Sequence, residues 1–259
     1  MGGDVLLAIG AGIVGLCFGS FLNVCILRLP HEQSLLRPPS TCPRCKKRIA
    51  WRDNIPVVSW LLLWGKCRNC GAPISLQYPV IELLVGELWA AAVLYYGVSV
   101  HALAAAVFMT ILLGIAITDA RHYIIPDEFT WGGLVLGLAL SLDGGGPGLV
   151  QAILGAAAGF GLLYVVARAG QWVFKEEAMG GGDIKMMAMV GAFVGWQGVL
   201  LTVFAGALLG TLIFVPLSLK KKRLVPFGVF LALGAAVTYV AGPALISWYM
   251  AFIGFGRSF

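Results

Sequence analysis

The feature that most constrains the fold of this chain is a series of long apolar runs that recur along its whole length. The runs cover roughly residues 5–27, 78–98, 101–118, 129–142, 148–168, 184–196, 198–219 and 226–253. Crossing ~30 Å of hydrocarbon takes about 20 helical residues, and several of the runs reach that length. With 59% hydrophobic and only 12% charged residues, the chain has more apolar surface than a soluble core needs. We therefore predict an all-α polytopic membrane protein with about eight transmembrane helices.

Lysine and arginine residues set the predicted orientation, because they accumulate in cytoplasmic loops. The long hydrophilic segment is 30–77, and we place it in the cytoplasm. An eight-span topology then puts 17 of the 18 basic residues on the cytoplasmic side, with Arg257 as the exception. The net charge of +6 therefore reflects orientation in a lipid bilayer, and we expect no nucleic-acid binding. The basic run 220–223 either anchors a span or forms a patch for lipid headgroups or a partner.

These segments divide the sequence into three expected parts. Residues 1–29 form a first transmembrane helix, which we expect to be retained because no basic residue precedes the apolar run and no clear cleavage site is present. Residues 30–77 form a cytoplasmic domain, and residues 78–259 form the transmembrane core. Glycine pairs at helical spacing, at positions 15 and 19, 155 and 159, and 206 and 210, predict close packing between helices in lipid.

Four of the six cysteines form two C-x-x-C pairs within the 30–77 segment. They are Cys42 with Cys45 and Cys67 with Cys70, and 21 residues separate the pairs. Pairs at about this spacing can place four thiolates around one tetrahedral Zn²⁺. Two disulfides are the alternative, although a reducing cytosol argues against them. Because four thiolates leave no open position for water, we predict a structural zinc ion that stabilises a loop with little core.

Acidic residues inside the spans are costly, so each of them is a candidate for function. Asp119 falls at the cytoplasmic end of the third span, and Asp183 falls at the cytoplasmic start of the sixth. They are 64 residues apart in sequence, yet the topology puts both at similar depth on the same face. Two neighbouring carboxylates share a proton, so that one takes a proton from water while the other donates to a carbonyl oxygen. This pair therefore predicts amide hydrolysis without a nucleophilic side chain or a metal.

Three glycines precede Asp183 directly: Gly180, Gly181 and Gly182. Glycines can adopt backbone angles closed to other residues, and we predict that these three let an extended peptide substrate approach the aspartates. In the alternative reading, Asp183 only caps the helix that follows, and the glycines are a loop.

Asp127 follows Pro126 and is predicted to cap the fourth span. It remains the main rival of Asp119 as the partner of Asp183, because it lies near the same face of the membrane.

In combination, these motifs resemble the type IV prepilin peptidase family, which belongs to the GxGD membrane aspartyl proteases. The residues that carry the resemblance are Gly180-Gly-Gly-Asp183, Asp119 followed by Ile125-Pro126-Asp127, Gly19-Ser-Phe-Leu-Asn23-Val with Arg28-Leu-Pro30, the two C-x-x-C pairs, and Val225-Pro-Phe-Gly228. They extend over nearly the whole chain, and their combination is far more specific than GxGD alone.

The resemblance implies a bacterial inner-membrane enzyme of type IV pilus or type II secretion assembly. Its substrates would be prepilins and pseudopilins, cut after a glycine at the end of a short basic leader on the cytoplasmic side. Asp119 and Asp183 would be the catalytic pair, in agreement with the argument above, and Lys185 would belong to the substrate-binding pattern. The zinc-loop form of the family usually also methylates the new N-terminus with S-adenosylmethionine, an expectation that here rests on the resemblance alone.

Two other classes of protein fit parts of the sequence. An ion-coupled membrane transporter also uses broken helices and buried carboxylates. The carboxylates here fall near the inner interface, however, and no inverted repeat is evident. The third possibility is a zinc-ribbon docking protein whose helices serve only as a membrane anchor. This possibility predicts that Asp183→Asn leaves function intact.

Overall fold

The computed structural model describes residues 2–37, 39–175, 179–218 and 226–252. Eight α-helices make up most of these ranges, and the prediction of an all-α protein is confirmed. In chain order the helices are α1 (Gly2–Arg28), α2 (Val58–Leu62), α3 (Gln77–Tyr96), α4 (Val100–His122), α5 (Asp127–Leu140), α6 (Leu149–Phe174), α7 (Gly181–Ser218) and α8 (Phe227–Phe252). The basic run 220–223 and Arg257 lie outside the described residues.

Six of the described helices are long and apolar enough to cross a membrane, namely α1, α3, α4, α6, α7 and α8. Large apolar side chains lie exposed along these helices, where a bilayer would cover them. The helix α5 has 14 residues, which gives about 21 Å of helix and is short for a span. A multi-pass membrane protein is therefore confirmed by length and composition.

The long helix α7 is two helices joined at Gly195. The φ of 72° and ψ of 175° at this residue lie outside the helical region, in a conformation that glycine adopts readily. Before the break, α7 runs parallel to α5, since Gly133 lies against Met189 and Gly137 lies against Phe193. We call residues 181–194 the first arm of α7 and residues 196–218 the second arm.

The second arm runs antiparallel to α8. Gly198 lies close to Thr238, whereas Gly206, farther along the arm, lies close to Phe230 near the start of α8. The second arm therefore ends at the level where α8 begins.

The chain consequently reverses its direction at Gly195. Ile125 lies against both Gly182 at the start of α7 and Gly228 at the start of α8, so these two helices begin at the same end. Because the second arm returns to that end, α7 supplies two membrane segments. The predicted division between 184–196 and 198–219 agrees with the break, whereas α5, predicted as a span over 129–142, is not among the six described helices long enough to cross a membrane.

The chain forms two compact units, Met1–Thr110 and Ile111–Phe259, and the boundary falls inside α4. In unit 1, α1 packs along α3. Gly19 allows this close approach, because a Cβ there would lie 2.7 Å from the Cα of Glu82. The loops on either side of α2, between these two helices, carry the four paired cysteines.

In unit 2, α7 packs against α5, α6 and α8. Glycines again make the contacts: Gly155 meets the backbone of Gly191, and Gly159 meets the backbone of Met187. Since any added side chain would push the helices apart, this packing fixes where α7 begins relative to its neighbours.

Candidate active site and four-cysteine centre

Asp119 lies in the last turn of α4 and is 6% exposed. Its Oδ2 accepts a hydrogen bond from the backbone N–H of Val229 at 3.0 Å. This donor belongs to the first turn of α8, and a helix N-terminus favours negative charge. A Cβ at Gly228 would lie 2.9 Å from the same oxygen, so only glycine lets the helix end come this close.

Asp183 is the third residue of α7 and is half-buried. Ile125 lies against Gly182, the residue before Asp183, and also against Gly228, which adjoins the Asp119 carboxylate. Both aspartates therefore lie at the same end of unit 2, near enough for their charges to interact. Its Oδ1 is buried and has no hydrogen-bond partner among the described residues. The alternative reading of Asp183 as a helix cap is wrong, because the residue lies inside the first turn.

The three glycines before Asp183 behave differently from the sequence-based expectation. None of them has a positive φ, so they do not use backbone angles closed to other residues. The N–H of Asp183 donates to the carbonyl of Gly180 at 3.2 Å, which closes a turn at the helix start. There is nevertheless open space here: a Cβ at Gly181 would meet nothing within 4 Å, and one at Gly180 would meet only Asp183.

Lys185 and Asp127 form an ion pair at the same end of unit 2. The Lys185 Nζ lies 2.7 Å and 2.8 Å from the two carboxylate oxygens of Asp127. Pro126, and not Asp127, occupies the cap position of α5, so the predicted capping role is wrong by one residue. The pair connects the start of α5 with the start of α7.

A recess of about 260 Å³ lies between the end of α6 and the start of α7. Gly181 and Ile184, the residues around Asp183, form one wall, and Arg168 lies on the other. The guanidinium of Arg168 stacks over Tyr164, with its carbon 5.3 Å from the ring centre, and donates to the Tyr164 hydroxyl. The recess offers a polar, partly aromatic surface beside the aspartates.

The four paired cysteines of unit 1 form a cluster that can bind a metal ion. The Sγ atoms of Cys42, Cys45, Cys67 and Cys70 all lie within 4.8 Å of one another. The Sγ atoms of Cys42 and Cys70 are 3.8 Å apart, and tetrahedral coordination with Zn–S bonds of about 2.3 Å requires about this separation. The backbone N–H groups of Cys45 and Arg44 lower the pKa of the Cys42 thiol to about 6, which favours a thiolate at neutral pH.

Each of the two C-x-x-C pairs forms a backbone turn of the same type. This local repeat was not recognised from the sequence. In the first turn, the carbonyl of Cys42 accepts the N–H of Lys46 at 2.9 Å. In the second, the carbonyl of Cys67 accepts the N–H of Gly71, also at 2.9 Å. Lys46 and Gly71 both have a positive φ, of 58° and 67°. All four cysteines are free thiols, so the two-disulfide alternative is not what the structure contains.

Comparison with known proteins gives the family of the chain. The Bacterial Peptidase A24 N-terminal domain matches residues 13–96, and the Type IV leader peptidase family matches residues 106–215. A prepilin leader peptidase/N-methyltransferase of Neisseria gonorrhoeae is 32% identical over an alignment of 267 positions that covers 93% of each chain. The chain belongs to the type IV leader peptidase family.

Other members of the type IV leader peptidase family carry the same name. The relative from Myxococcus xanthus is 39% identical over 221 residues, which are 85% of this chain and 66% of the relative. The relative from Klebsiella pneumoniae is 42% identical over an alignment of 193 positions that covers 71% of this chain and 83% of the relative. No solved structure matches the chain.

The two matched stretches separate the two candidate sites of this leader peptidase family member. Residues 13–96 include both C-x-x-C pairs, whereas residues 106–215 include Asp119 and Asp183. Gly228 and Val229 fall beyond the second stretch. Their role was missed by sequence reasoning, which noted Gly228 only as part of the family pattern and had no signal that α8 would contact Asp119.

Proposed function

We propose that this protein is a membrane-embedded aspartyl endopeptidase that removes the leader peptide of prepilins and pseudopilins. We further propose that it methylates the new N-terminus with S-adenosylmethionine. Family membership supports both activities, since the relatives are named prepilin leader peptidase/N-methyltransferase. The observation that carries the peptidase proposal is that Asp119, at the end of α4, and Asp183, at the start of α7, lie at the same end of unit 2.

The surroundings of the two aspartates favour different roles. Asp119 accepts a backbone N–H at a helix N-terminus, which supports its role as the ionised base that takes a proton from water. Asp183 has a buried oxygen without a donor, which supports its role as the protonated acid that donates to the scissile carbonyl. Water then adds to the carbonyl carbon and gives a gem-diol. The C–N bond breaks, the amine leaves with the proton taken up by Asp119, and one hydroxyl of the diol returns its proton to Asp183 as the new carboxyl group forms.

The substrate would approach along the start of α7. The open space at Gly180 and Gly181 supports their proposed role in substrate binding, together with Gly182. The recess beside Arg168 offers room for a side chain next to the scissile bond. We retain Lys185 as a proposed substrate-binding residue at the rim, where its ion pair with Asp127 also fixes the starts of α5 and α7.

We propose that the four-cysteine cluster binds a structural Zn²⁺. The separation of the four thiols and the presence of four sulfur ligands suit zinc, and no coordination position remains for water. In this proposal residues 30–77 form a zinc domain between a first helix, 1–29, and a peptidase core, 78–259. The metal content of the purified protein tests it: about one zinc per chain is expected, and a different metal or none would contradict it.

We also propose that the protein lies in the bacterial inner membrane with the aspartates facing the cytoplasm. The distribution of 18 lysine and arginine residues supports this orientation. The family match favours a peptidase over the ion-coupled transporter considered from the sequence.

One experiment tests the whole proposal. The detergent-purified protein is mixed with a prepilin, with and without S-adenosylmethionine, and the products are weighed by mass spectrometry. We expect a loss equal to the leader in both reactions and one further methyl mass when S-adenosylmethionine is present. An uncut prepilin would contradict the peptidase, and a cut but unmethylated product would contradict the transferase.

A further inference from the structure

The short helix α2 of unit 1 presents an apolar face that is exposed. Val58, Leu61 and Leu62 share one side of this helix, because helical residues three and four apart lie on the same face. All three are exposed, Leu62 to 74%. The other side packs inward, since a Cβ at Gly65 would lie 2.8 Å from the Trp60 ring. Contiguous exposed apolar side chains of this kind mark a surface that contacts another partner.

Trp64, directly after α2, adds an exposed aromatic ring at a position that glycine usually occupies. The N–H of Trp64 donates to the carbonyl of Leu61 at 3.0 Å. The N–H of Gly65 donates to the carbonyl of Trp60 at 2.9 Å. These two bonds form a Schellman motif, in which the residue at the place of Trp64 has a positive φ and is usually glycine. Trp64 has a φ of 53° there and is 86% exposed, so the strain indicates a role for its ring outside the fold.

A hydrogen bond to α3 sets the level of α2 relative to the membrane. The N–H of Val57, directly before α2, donates to the Oε2 of Glu82 at 2.7 Å. Glu82 is the sixth residue of α3, about 7.5 Å along the helix from its first residue. Helix α3 has 20 residues and is about 30 Å long, so it needs its whole length to cross the hydrocarbon. The start of α2 therefore lies at the boundary between headgroups and acyl chains, where amphipathic helices are buried by about 5–10 Å.

The segment that contains α2 is strongly basic. Residues 30–77 include eight lysine and arginine residues but only two acidic residues. One of the acidic residues, Asp53, forms an ion pair with Arg68 at 2.7 Å. Arg52 and Lys66, on either side of α2, are exposed. This charge complements anionic headgroups, while leucine and tryptophan suit the boundary beneath them.

We propose that residues 58–64 lie in the headgroup boundary of the bilayer and hold the four-cysteine segment, 30–77, against the membrane surface. Leu61 and Leu62 enter the acyl region, Trp64 lies at the level of the headgroups, and the basic residues contact anionic phospholipid. The partner is therefore a lipid surface that contains anionic headgroups. This contact goes beyond cleavage and methylation, because it orients the cysteine segment through lipid.

Photochemical cross-linking of the full chain in nanodiscs of phosphatidylcholine and phosphatidylglycerol tests the contact. Replacement of Leu62 by p-benzoylphenylalanine places the probe on the apolar face, and mass spectrometry identifies what it captures on irradiation. We expect an adduct with the mass of a phospholipid at position 62. The matched control replaces Arg44, which is exposed in the turn of the first C-x-x-C pair, and it should capture little lipid. Cleavage of prepilin by both chains shows that they are folded.

The main rival for this apolar face is the prepilin itself, so the irradiation is repeated with prepilin in the nanodisc. We expect the phospholipid adduct to persist at position 62. Its replacement by a prepilin adduct would overturn the proposal and make the face a docking surface for the substrate. Absence of a lipid adduct at position 62, or an equal yield at positions 44 and 62, would also overturn it.

Trp64→Gly separates contact with lipid from folding. Glycine suits the positive φ after α2, so the thermal midpoint in detergent is expected to stay the same or rise. In nanodiscs the same substitution should remove most of the phospholipid adduct formed by the probe at position 62, because the aromatic anchor is lost. An adduct of unchanged yield, or a lower thermal midpoint in detergent, would show that the ring does not serve as a lipid anchor and would overturn the proposal.

Discussion

The cysteine cluster of unit 1 and the aspartate pair of unit 2 are assembled in opposite ways. Cys42 and Cys70 are 28 residues apart, and each C-x-x-C pair is shaped by hydrogen bonds within its own short turn. Asp119 and Asp183 are 64 residues apart and lie near each other because α7 packs against α5, α6 and α8, and the first turn of α8 contacts Asp119. The geometry of the cluster therefore depends on the cysteines themselves and their turns. The geometry of the aspartate pair depends on contacts between helices far from the pair.

The largest expected effect is on the cluster. Cys67→Ser removes one of four thiolates, and binding of a structural zinc is worth about 10 kcal/mol or more in small zinc domains. We expect zinc content to fall from about one to near zero per chain and residues 30–77 to become sensitive to a protease. Elemental analysis and limited proteolysis measure the two changes.

The matched control for the cluster is Cys17→Ser, since Cys17 is an exposed cysteine of α1 outside the cluster. It should keep its zinc. Full zinc occupancy in Cys67→Ser would show that the cluster does not bind the metal.

The next largest effect is on the aspartates. Asp119→Asn or Asp183→Asn keeps the shape of the side chain but removes a proton acceptor or donor, and cleavage of prepilin should fall by about 10³-fold or more. Mass spectrometry of the product measures the rate, and zinc content should not change.

Asp143→Asn provides the control for these variants. Asp143 follows α5 at its opposite end and is exposed, so the same substitution there should leave cleavage unchanged. If either catalytic variant cleaved prepilin at the original rate, the two-aspartate mechanism would be wrong.

A smaller effect should follow from helix packing alone. A Cβ at Gly159 of α6 would run into the backbone of Met187, and overpacking of this kind costs about 1–3 kcal/mol. We expect Gly159→Ala to lower the thermal midpoint in detergent and to reduce cleavage, with zinc content unchanged.

Gly161→Ala is the control in the same helix, because nothing lies within 4 Å of a Cβ at Gly161. Equal stability of the two variants would show that the aspartates do not depend on this contact.

The smallest effect is expected at the ion pair between Lys185 and Asp127. Both side chains are partly exposed, and such pairs contribute about 0.2–1 kcal/mol. Asp127→Asn should therefore reduce kcat/KM for prepilin by less than about tenfold. A loss as large as that of Asp119→Asn would make Asp127, and not Asp119, the partner of Asp183.

The features that could be predicted from the sequence are those that depend on short-range patterns of residues. Apolar runs located the spans, including the division of α7, and the spacing of the cysteines predicted their cluster. The predicted membrane topology put Asp119 and Asp183 at one depth, although it did not determine that they lie close together. These inferences needed only length, spacing and charge.

Other features depend on contacts between residues that are distant in the sequence, and no sequence pattern indicates them. The approach of Gly228 to Asp119 joins two helices more than a hundred residues apart in sequence. The hydrogen bond from Val57 to Glu82, which sets the level of α2, is visible only once the loop has folded onto α3. The glycines before Asp183 were expected to use unusual backbone angles. Gly181 and Gly182 instead lie in the first turn of α7, and the carbonyl of Gly180 accepts the N–H of Asp183.

The break at Gly195 has a consequence for biosynthesis. The first arm of α7 is about 21 Å long and carries Asp183 and Lys185, so it is too short and too polar to enter lipid readily by itself. The second arm is mostly apolar, carries no charged residue and is long enough to be recognised by the insertion machinery. We therefore expect the ribosome to deliver both arms before either settles in the bilayer, so that the aspartate reaches its place only after the residues that follow it have been made.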